Sequence, residues 1–145
     1  MTAADPYNLQ RFVDAQNGVF DTALAELRAG SKQSHWMWFI FPQLGGLGRS
    51  PTAQFYAIAS LDEAHAYLAH PLLGRRLRQS IEALLPCAGK RSVEQILGAV
   101  DAMKLRSSLT LFDRISPDDL FGRALDDFFA GAPDERTLAQ VEPKE

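Results

Sequence analysis

Helix-start signals recur along the whole chain, and no segment alternates convincingly like a strand. The signals are Asp5-Pro6, Ser50-Pro51, Ser60 with Glu63, Ser92 with Gln95, and Ser116-Pro117. A Ser or Asp oxygen accepts one of the unpaired N–H groups at a helix start, and Pro suits the first helical position because its missing N–H loses no bond there. Apolar residues between the signals repeat with helical spacing. The sequence therefore predicts an all-α, compact, multihelical single domain.

One apolar run differs from the amphipathic helices. After His35, the segment SHWMWFIF (residues 34–41) is apolar on every side, which fits either a buried strand or a helix enclosed on all sides. Its neighbours are helical, and no second strand candidate is available to pair with it. We therefore predict a short, buried central helix, followed after Pro42 by the glycine-rich stretch GGLG.

Length and cysteine content limit the class of protein. A chain of 145 residues is enough for one packed core, and we predict a helical domain over 5–138 with a frayed tail at 139–145. Cys87 is the only cysteine, so the chain has no intramolecular disulfide, and its start lacks a signal-peptide pattern. No apolar run approaches the roughly 18 residues of a membrane span. We expect a soluble, cytoplasmic protein.

Charge and histidine content exclude two further classes. The densest basic region consists of Arg75, Arg76, Arg78, Lys90 and Arg91. These residues lie beside an apolar helical stripe, which is typical of an ordinary helix face exposed to solvent. The net charge of −3 gives no overall attraction for nucleic acid. His65 and His70 point about 140° apart on a helix, so they cannot share a metal ion there. We expect no nucleic-acid partner, no membrane, no metal and no cofactor, and the oligomeric state stays open.

Polar residues beside apolar runs indicate one candidate site. Burying a polar group costs free energy that a packing role alone does not require, and a ligand can offset that cost. The strings SHWMWFIFPQLGGLGRS and KLRSSLTLF contain the richest residues of this kind. We predict that they meet around a modest pocket with these ligand-binding residues: His35, Trp38, Gln43, Arg49, Lys104, Arg106 and Ser107.

The residue types suggest roles in such a pocket. Arg49 or Arg106 would supply a fixed positive charge for a phosphate or carboxylate. Trp38 would offer a stacking face, and Gln43 directional hydrogen bonds. These properties fit a small polar or anionic ligand, including a nucleotide-derived one.

Two readings of the hydroxyl groups and of the histidine stay open. Ser108 is either a nucleophile with Lys104 as its base, or its hydroxyl bonds back to the preceding helical turn, as that of Ser107 also can. His35 is either an acid–base group or a capping histidine. The sequence therefore assigns no catalytic residue.

Four strings resemble a known family. In order they are DPYNLQRFVDAQ, SHWMWFIFPQLGGLGRSPTAQFYAI, LDEAHAYLAHPLLGRRL and KLRSSLTLF. On these strings the chain resembles a widespread bacterial family of small uncharacterised proteins, a domain of unknown function sometimes labelled calpastatin. The resemblance implies an all-α fold with a central buried helix, and it implies no activity, substrate or cofactor. The inhibitor label does not fit, because inhibitors of that kind are disordered and polar whereas this chain has a core.

Three functions remain after this reading. The first is a domain that binds a small polar or anionic ligand, and the second is a noncatalytic interaction or assembly module. The third is a hydrolase acting on the glycosidic bond of a nucleotide-derived ligand, for which the sequence shows no convincing carboxylate pair. Convergence of His35, Arg49 and Lys104 in a cleft favours the first, and an exposed apolar patch without a concave polar site favours the second.

Overall fold

The all-α fold is confirmed by the computed structural model, which describes residues 5–46, 50–117 and 119–141. Within these ranges the chain forms ten α-helices: α1 (Gln10–Gln16), α2 (Phe20–Ala29), α3 (Met37–Ile40), α4 (Pro51–Phe55), α5 (Leu61–Ala69), α6 (Leu73–Leu84), α7 (Val93–Leu97), α8 (Ala99–Ile115), α9 (Leu120–Phe129) and α10 (Glu135–Val141). A 3₁₀ turn follows α6 at Leu85–Cys87. The one extended pairing in this part of the chain is a parallel bridge between Leu44 and Ile58.

Most helices begin and end where the local chemistry predicts. The hydroxyls of Ser50, Ser60 and Ser92 each accept a hydrogen bond from the backbone N–H three residues later, at the starts of α4, α5 and α7. At α7 the Gln95 side chain also accepts from the Ser92 N–H, which completes a capping box. Gly30 ends α2 at a φ of 68°, in the left-handed region that glycine adopts without steric cost.

Asp101 resembles an N-cap residue in sequence, but it does not cap α8. The helix begins at Ala99, two residues before Asp101, and follows Gly98, whose φ of 88° and ψ of 158° lie in a region open essentially to glycine alone. Asp101 therefore lies inside the first turn, where the positive end of the helix dipole favours a carboxylate. Its side chain is free to pair with lysines instead of with the helix terminus.

Helix α3, with Trp36 and Phe41 at its two ends, is the short buried helix that the sequence predicts. Trp36, Ile40 and Phe41 are at most 1% exposed, and α3 packs against α1 and α6. The Glu26 carboxylate fixes the entry to this helix. It accepts hydrogen bonds from the Trp36 indole, from the Ser34 hydroxyl, and from the backbone N–H groups of residues 33 and 34.

A nearly buried ion pair ties the first helix to the middle of the chain. Arg11 contacts Glu63 at 2.7 Å, and their side chains are 9% and 5% exposed. The remaining guanidinium donors of Arg11 reach four backbone carbonyls, those of residues 7, 8, 55 and 57. The other oxygen of Glu63 accepts from the Ala59 N–H at 3.2 Å, so Glu63 does not complete the capping box that its spacing from Ser60 predicts.

Helices α8 and α6 organise the packing. Helix α8 contacts α5, α7, α9 and α10, while α6 packs against α2, α5 and α9. Helices α5 and α6 approach so closely that a Cβ on Gly74 would overlap the Leu68 carbonyl oxygen. At the other end, α10 continues to Val141, which is 7% exposed, whereas the sequence predicted fraying from residue 139. Residues 142–145 lie outside the described ranges.

Candidate functional site

Two adjoining cavities bring together residues from distant parts of the chain. Both are lined by Gln43 and Lys104. The inner cavity is completed by Met37, Trp38, Phe41, Ala53 and Tyr56. The outer cleft is completed by Val100, Met103, Ser107, Asp134 and Arg136. The inner cavity holds about 10 Å³, enough for one water molecule, and the outer cleft about 170 Å³.

Helix α8 supplies one wall of the outer cleft through a single stripe. Val100, Met103, Lys104 and Ser107 follow the i, i+3, i+4, i+7 spacing that places side chains on one helix face. The first two are apolar and exposed, at 68% and 63%. The cleft therefore has an apolar rim next to an ammonium group.

Lys104 is held at the junction of the two cavities. Its Nζ lies 5.1 Å from the centre of the Trp38 ring, within the range of a cation–π contact, and 3.6 Å from Oδ1 of Asp101. The side chain is 24% exposed, so the ammonium group is partly desolvated but still reachable from the cleft. One face of Trp38 is thus covered by Lys104.

Asp101 is shared with a second lysine. Lys32 Nζ lies 3.0 Å from Oδ2 of Asp101, and the Lys32 side chain is 10% exposed. The Lys32 ammonium also lies 5.1 Å from the centre of the Trp36 ring. Each lysine therefore contacts one oxygen of the same carboxylate and the ring of a different tryptophan.

Gln43 is positioned by its main chain. Its carbonyl accepts a hydrogen bond from the Ile58 N–H at 2.9 Å, and the Gly45 N–H donates to the Ile58 carbonyl at 2.8 Å. These two bonds form the parallel bridge and hold the segment beside α3. The Gln43 side chain is therefore carried into the site by backbone contacts that do not involve it.

The hydroxyl groups of α8 differ in their hydrogen bonding, and Ser108 shows neither of its two predicted behaviours. The Ser107 hydroxyl donates to the Met103 carbonyl at 3.1 Å, and that of Thr110 donates to the Arg106 carbonyl at 2.8 Å. Both bond back to the preceding turn. Ser108 Oγ is buried and has no hydrogen-bond partner among the described residues, and Ser108 lines neither cavity.

Two of the seven predicted site residues, His35 and Arg106, are not brought to these cavities. His35 is exposed and lines neither of them. Arg106 donates through Nε to the Ala132 carbonyl at 2.9 Å, and its guanidinium lies near the ring of Phe129. Arg49 lies outside the described residues. Trp38, Gln43, Lys104 and Ser107 are the predicted residues that meet.

Several lining residues were missed by sequence reasoning. Asp134 and Arg136 come from the start of α10, a segment in which the sequence indicated no candidate site residue. Asp134 accepts hydrogen bonds from the N–H and the hydroxyl of Thr137, so its carboxylate serves as a helix cap. Val100 and Met103 could have been predicted from the sequence, because helical spacing places them on the same face as Lys104, toward the start of α8.

The basic region is partly used within the fold. Arg76 donates to the Gln16 side chain and lies above the Phe20 ring, while Arg78 pairs with Asp119 at 3.0 Å.

In the part of the chain that the structure covers, no three His, Cys, Asp or Glu side chains are grouped as metal ligands would be. No helix there is long and apolar enough to cross a membrane.

The comparisons with known proteins agree with the fold. A family model described as a protein of unknown function (DUF1810) matches residues 6–141. The crystal structure of the conserved hypothetical protein Rv1873 from Mycobacterium tuberculosis matches with a TM-score of 0.93 and 48% identity, over 97% of this chain and 100% of that one. No curated protein matches. The family resemblance carried by the four strings is confirmed, and the chain belongs to the DUF1810 family, whose function is unknown.

Proposed function

We propose that this protein binds a small anionic molecule in the outer cleft. The observation that carries the proposal is the convergence of Trp38, Gln43, Lys104 and Ser107, which come from two strings separated by some sixty residues of sequence. The Lys104 ammonium would meet the anion, and the Gln43 amide would orient it by directional hydrogen bonds.

The size of the cleft limits what it accepts. Pockets for drug-sized ligands usually hold roughly 300–1,000 Å³, whereas the outer cleft holds about 170 Å³ and the inner cavity about 10 Å³. A nucleobase cannot enter the inner cavity in this arrangement, and Lys104 already covers one face of Trp38. The cleft therefore suits a phosphate or carboxylate group, with any larger part of the ligand outside it.

The rim indicates what that outer part should be. Val100 and Met103 are two of the three large apolar side chains exposed in the described part of the chain, and both flank the cleft. An apolar group joined to the anion would remove this surface from water, which stabilises binding in proportion to the area covered. A carboxylate or phosphate with a short apolar tail fits both features.

The same rim supports the second candidate, an interaction module. Exposed Val100 and Met103 would then contact another protein, with Lys104 as a charged contact at the edge. Hydrolysis of a glycosidic bond has less support. Such reactions usually use two carboxylates, and Asp134 is the one carboxylate among the described residues of the cleft.

A thermal-shift screen tests the proposal directly. The compounds are inorganic phosphate, pyrophosphate, ADP, ADP-ribose, and carboxylates from acetate to octanoate. A ligand at a hundredfold excess over its Kd stabilises the folded state by about 2.7 kcal/mol, or about 5–10 °C for a chain of this size. We expect such a shift in the wild type and its loss in Lys104→Met.

The control variant is Lys90→Met, which removes the same charge from an exposed lysine that lines neither cavity. It should keep the full response. Two results would contradict the proposal. One is an unchanged melting temperature with every compound at a concentration 10-fold or more above a millimolar Kd. The other is an equal shift of the melting temperature in Lys104→Met. Binding of a partner protein abolished by Val100→Ser, without any small-molecule response, would favour the interaction module.

A further inference from the structure

Lys32 and Lys104 share one carboxylate, that of Asp101. We infer that Lys32, acting through Asp101, keeps the positive charge of Lys104 available to an anion in the outer cleft. Lys32 and Asp101 are then positioning residues rather than ligand contacts. The inference rests on the proposed function, because it concerns the charge that would meet the ligand.

The two ion pairs of Asp101 are unequal. Lys32 Nζ is 3.0 Å from one carboxylate oxygen, whereas Lys104 Nζ is 3.6 Å from the other. Coulomb attraction falls with distance, and burial reduces the screening by water, so the closer and more buried Lys32 neutralises the larger share of the carboxylate. The cluster of these three side chains carries one excess positive charge. That excess belongs to Lys104, the more exposed lysine and the one that lines both cavities.

Lys32 is fixed independently of Lys104. Its backbone N–H donates to the Ile96 carbonyl at 2.8 Å, and its ammonium contacts the ring of the fully buried Trp36. Lys104 contacts the partly buried Trp38 instead. Removing the Lys32 charge would therefore leave Asp101 with Lys104 as its one remaining partner in the cluster. The Lys104 ammonium would then be neutralised by a carboxylate of its own helix.

A purely structural role makes a different prediction. Asp101 lies in the first turn of α8, where a carboxylate stabilises the helix whatever its partners. Lys32 and Asp101 would then form an ordinary, partly buried ion pair that joins the segment before α3 to α8. Under that role, loss of either residue lowers stability and leaves the anion affinity of the folded protein unchanged.

A double-mutant cycle separates the two roles. The proteins are the wild type, Lys32→Met, Asp101→Asn and the double variant, each confirmed as folded by circular dichroism. The first measurement is the affinity for inorganic phosphate by calorimetry. The second is the rate at which acetic anhydride acetylates Lys104, followed by mass spectrometry of the modified peptide.

We expect Lys32→Met to weaken phosphate binding about fivefold, the upper range of an incompletely screened ion pair. It should also slow acetylation of Lys104, because Asp101 then pairs with the Lys104 amine alone and holds it away from the reagent. Asp101→Asn should strengthen binding and speed acetylation, and adding Lys32→Met to it should have little further effect. Lys32→Arg should behave like the wild type, as should the distant control Lys90→Met.

The outcomes distinguish this inference from the proposed function. An equal loss of affinity from Lys32→Met with and without Asp101 would show a direct charge effect and overturn the inference. If no protein binds phosphate, the proposed phosphate site fails, and the acetylation rates still decide whether Asp101 couples the two lysines. Unchanged acetylation of Lys104 in both single variants would overturn the coupling.

Discussion

Replacing Glu26 with glutamine is expected to weaken the fold near neutral pH and to have little effect near pH 2. Oε1 of Glu26 accepts from the N–H groups of Gln33 and Ser34 at 2.8 and 3.0 Å and from the Trp36 indole at 2.9 Å. Oε2 accepts from the Ser34 hydroxyl at 2.6 Å. A glutamine has one acceptor oxygen and places an amide donor where these donors point, so part of the set loses its partner.

The pKa of the carboxyl gives the magnitude. Burial raises the pKa of Glu26, but the hydrogen bonds from Ser34, Gln33 and Trp36 outweigh burial and lower the pKa from 4.5 to about 2. At about 1.4 kcal/mol for each pKa unit, the shift corresponds to about 3 kcal/mol. The side chain is half-buried, and screening by water reduces this to about 1–2 kcal/mol.

The direction of the pH dependence follows from the lowered pKa. Between the folded value of about 2 and the unfolded value near 4.5, the unfolded chain binds a proton that the folded protein does not. The stabilisation is therefore complete above about pH 4.5 and is lost as the pH falls through about 2. The Glu26→Gln variant lacks this group and should show a shallower loss of stability over that range.

Urea denaturation followed by circular dichroism at pH 6, 4 and 3 measures the effect. The free energy of unfolding should differ between wild type and Glu26→Gln by about 1–2 kcal/mol at pH 6, and the difference should shrink steadily toward pH 3. Glu82→Gln, the same change at an exposed site in α6, serves as the matched control. Parallel pH profiles for wild type and Glu26→Gln would refute the assignment of this stabilisation to Glu26.

Three further predictions use the same urea assay. Trp36→Ala should destabilise the protein by about 3–5 kcal/mol, because it removes a fully buried indole and leaves a cavity; an unchanged midpoint would contradict its enclosure. Gly74→Ala should destabilise although Ala is the better helix former by about 1 kcal/mol, because the new Cβ overlaps the Leu68 carbonyl oxygen. Arg11→Met should cost about 3–5 kcal/mol by leaving the buried Glu63 carboxylate unpaired, and adding Glu63→Gln should recover part of that loss.

Helix boundaries could be predicted because the interactions that set them are local. The capping box of Ser92 and Gln95 and the left-handed Gly30 each depend on residues within one or two turns. Asp101 shows the limit of this reasoning. An acidic residue in the first turn resembles an N-cap in sequence, and only the backbone of Gly98 shows that the helix begins before it.

The site was predictable in part. Lys104 and Ser107 lie three residues apart on α8 and therefore share a face, and their position among apolar residues identified them. Arg106, two residues after Lys104, lies about 200° around a straight helix, so both side chains cannot face one cleft. Helical spacing alone therefore predicts that Arg106 does not share the cleft with Lys104.

The remaining part depends on contacts between distant segments. Lys32 and Asp101 are far apart in sequence, and nothing in their local surroundings indicates that the loop before α3 meets the first turn of α8. Arg136 reaches the cleft because α10 packs on α8. Pairings of this kind follow from how whole helices pack, and short-range sequence patterns do not encode that packing.

The parallel bridge at Ile58 separates the length of the following loop from the position of Gln43. Its two hydrogen bonds close the excursion of the chain between Gln43 and Ile58 at its base, and they use backbone atoms alone. Lengthening a closed loop is inexpensive, about 0.6 kcal/mol for each doubling. Insertions after Gly45 would therefore leave the bridge intact, with Gln43 in register beside α3. The length of this loop and the position of Gln43 can therefore change independently of each other.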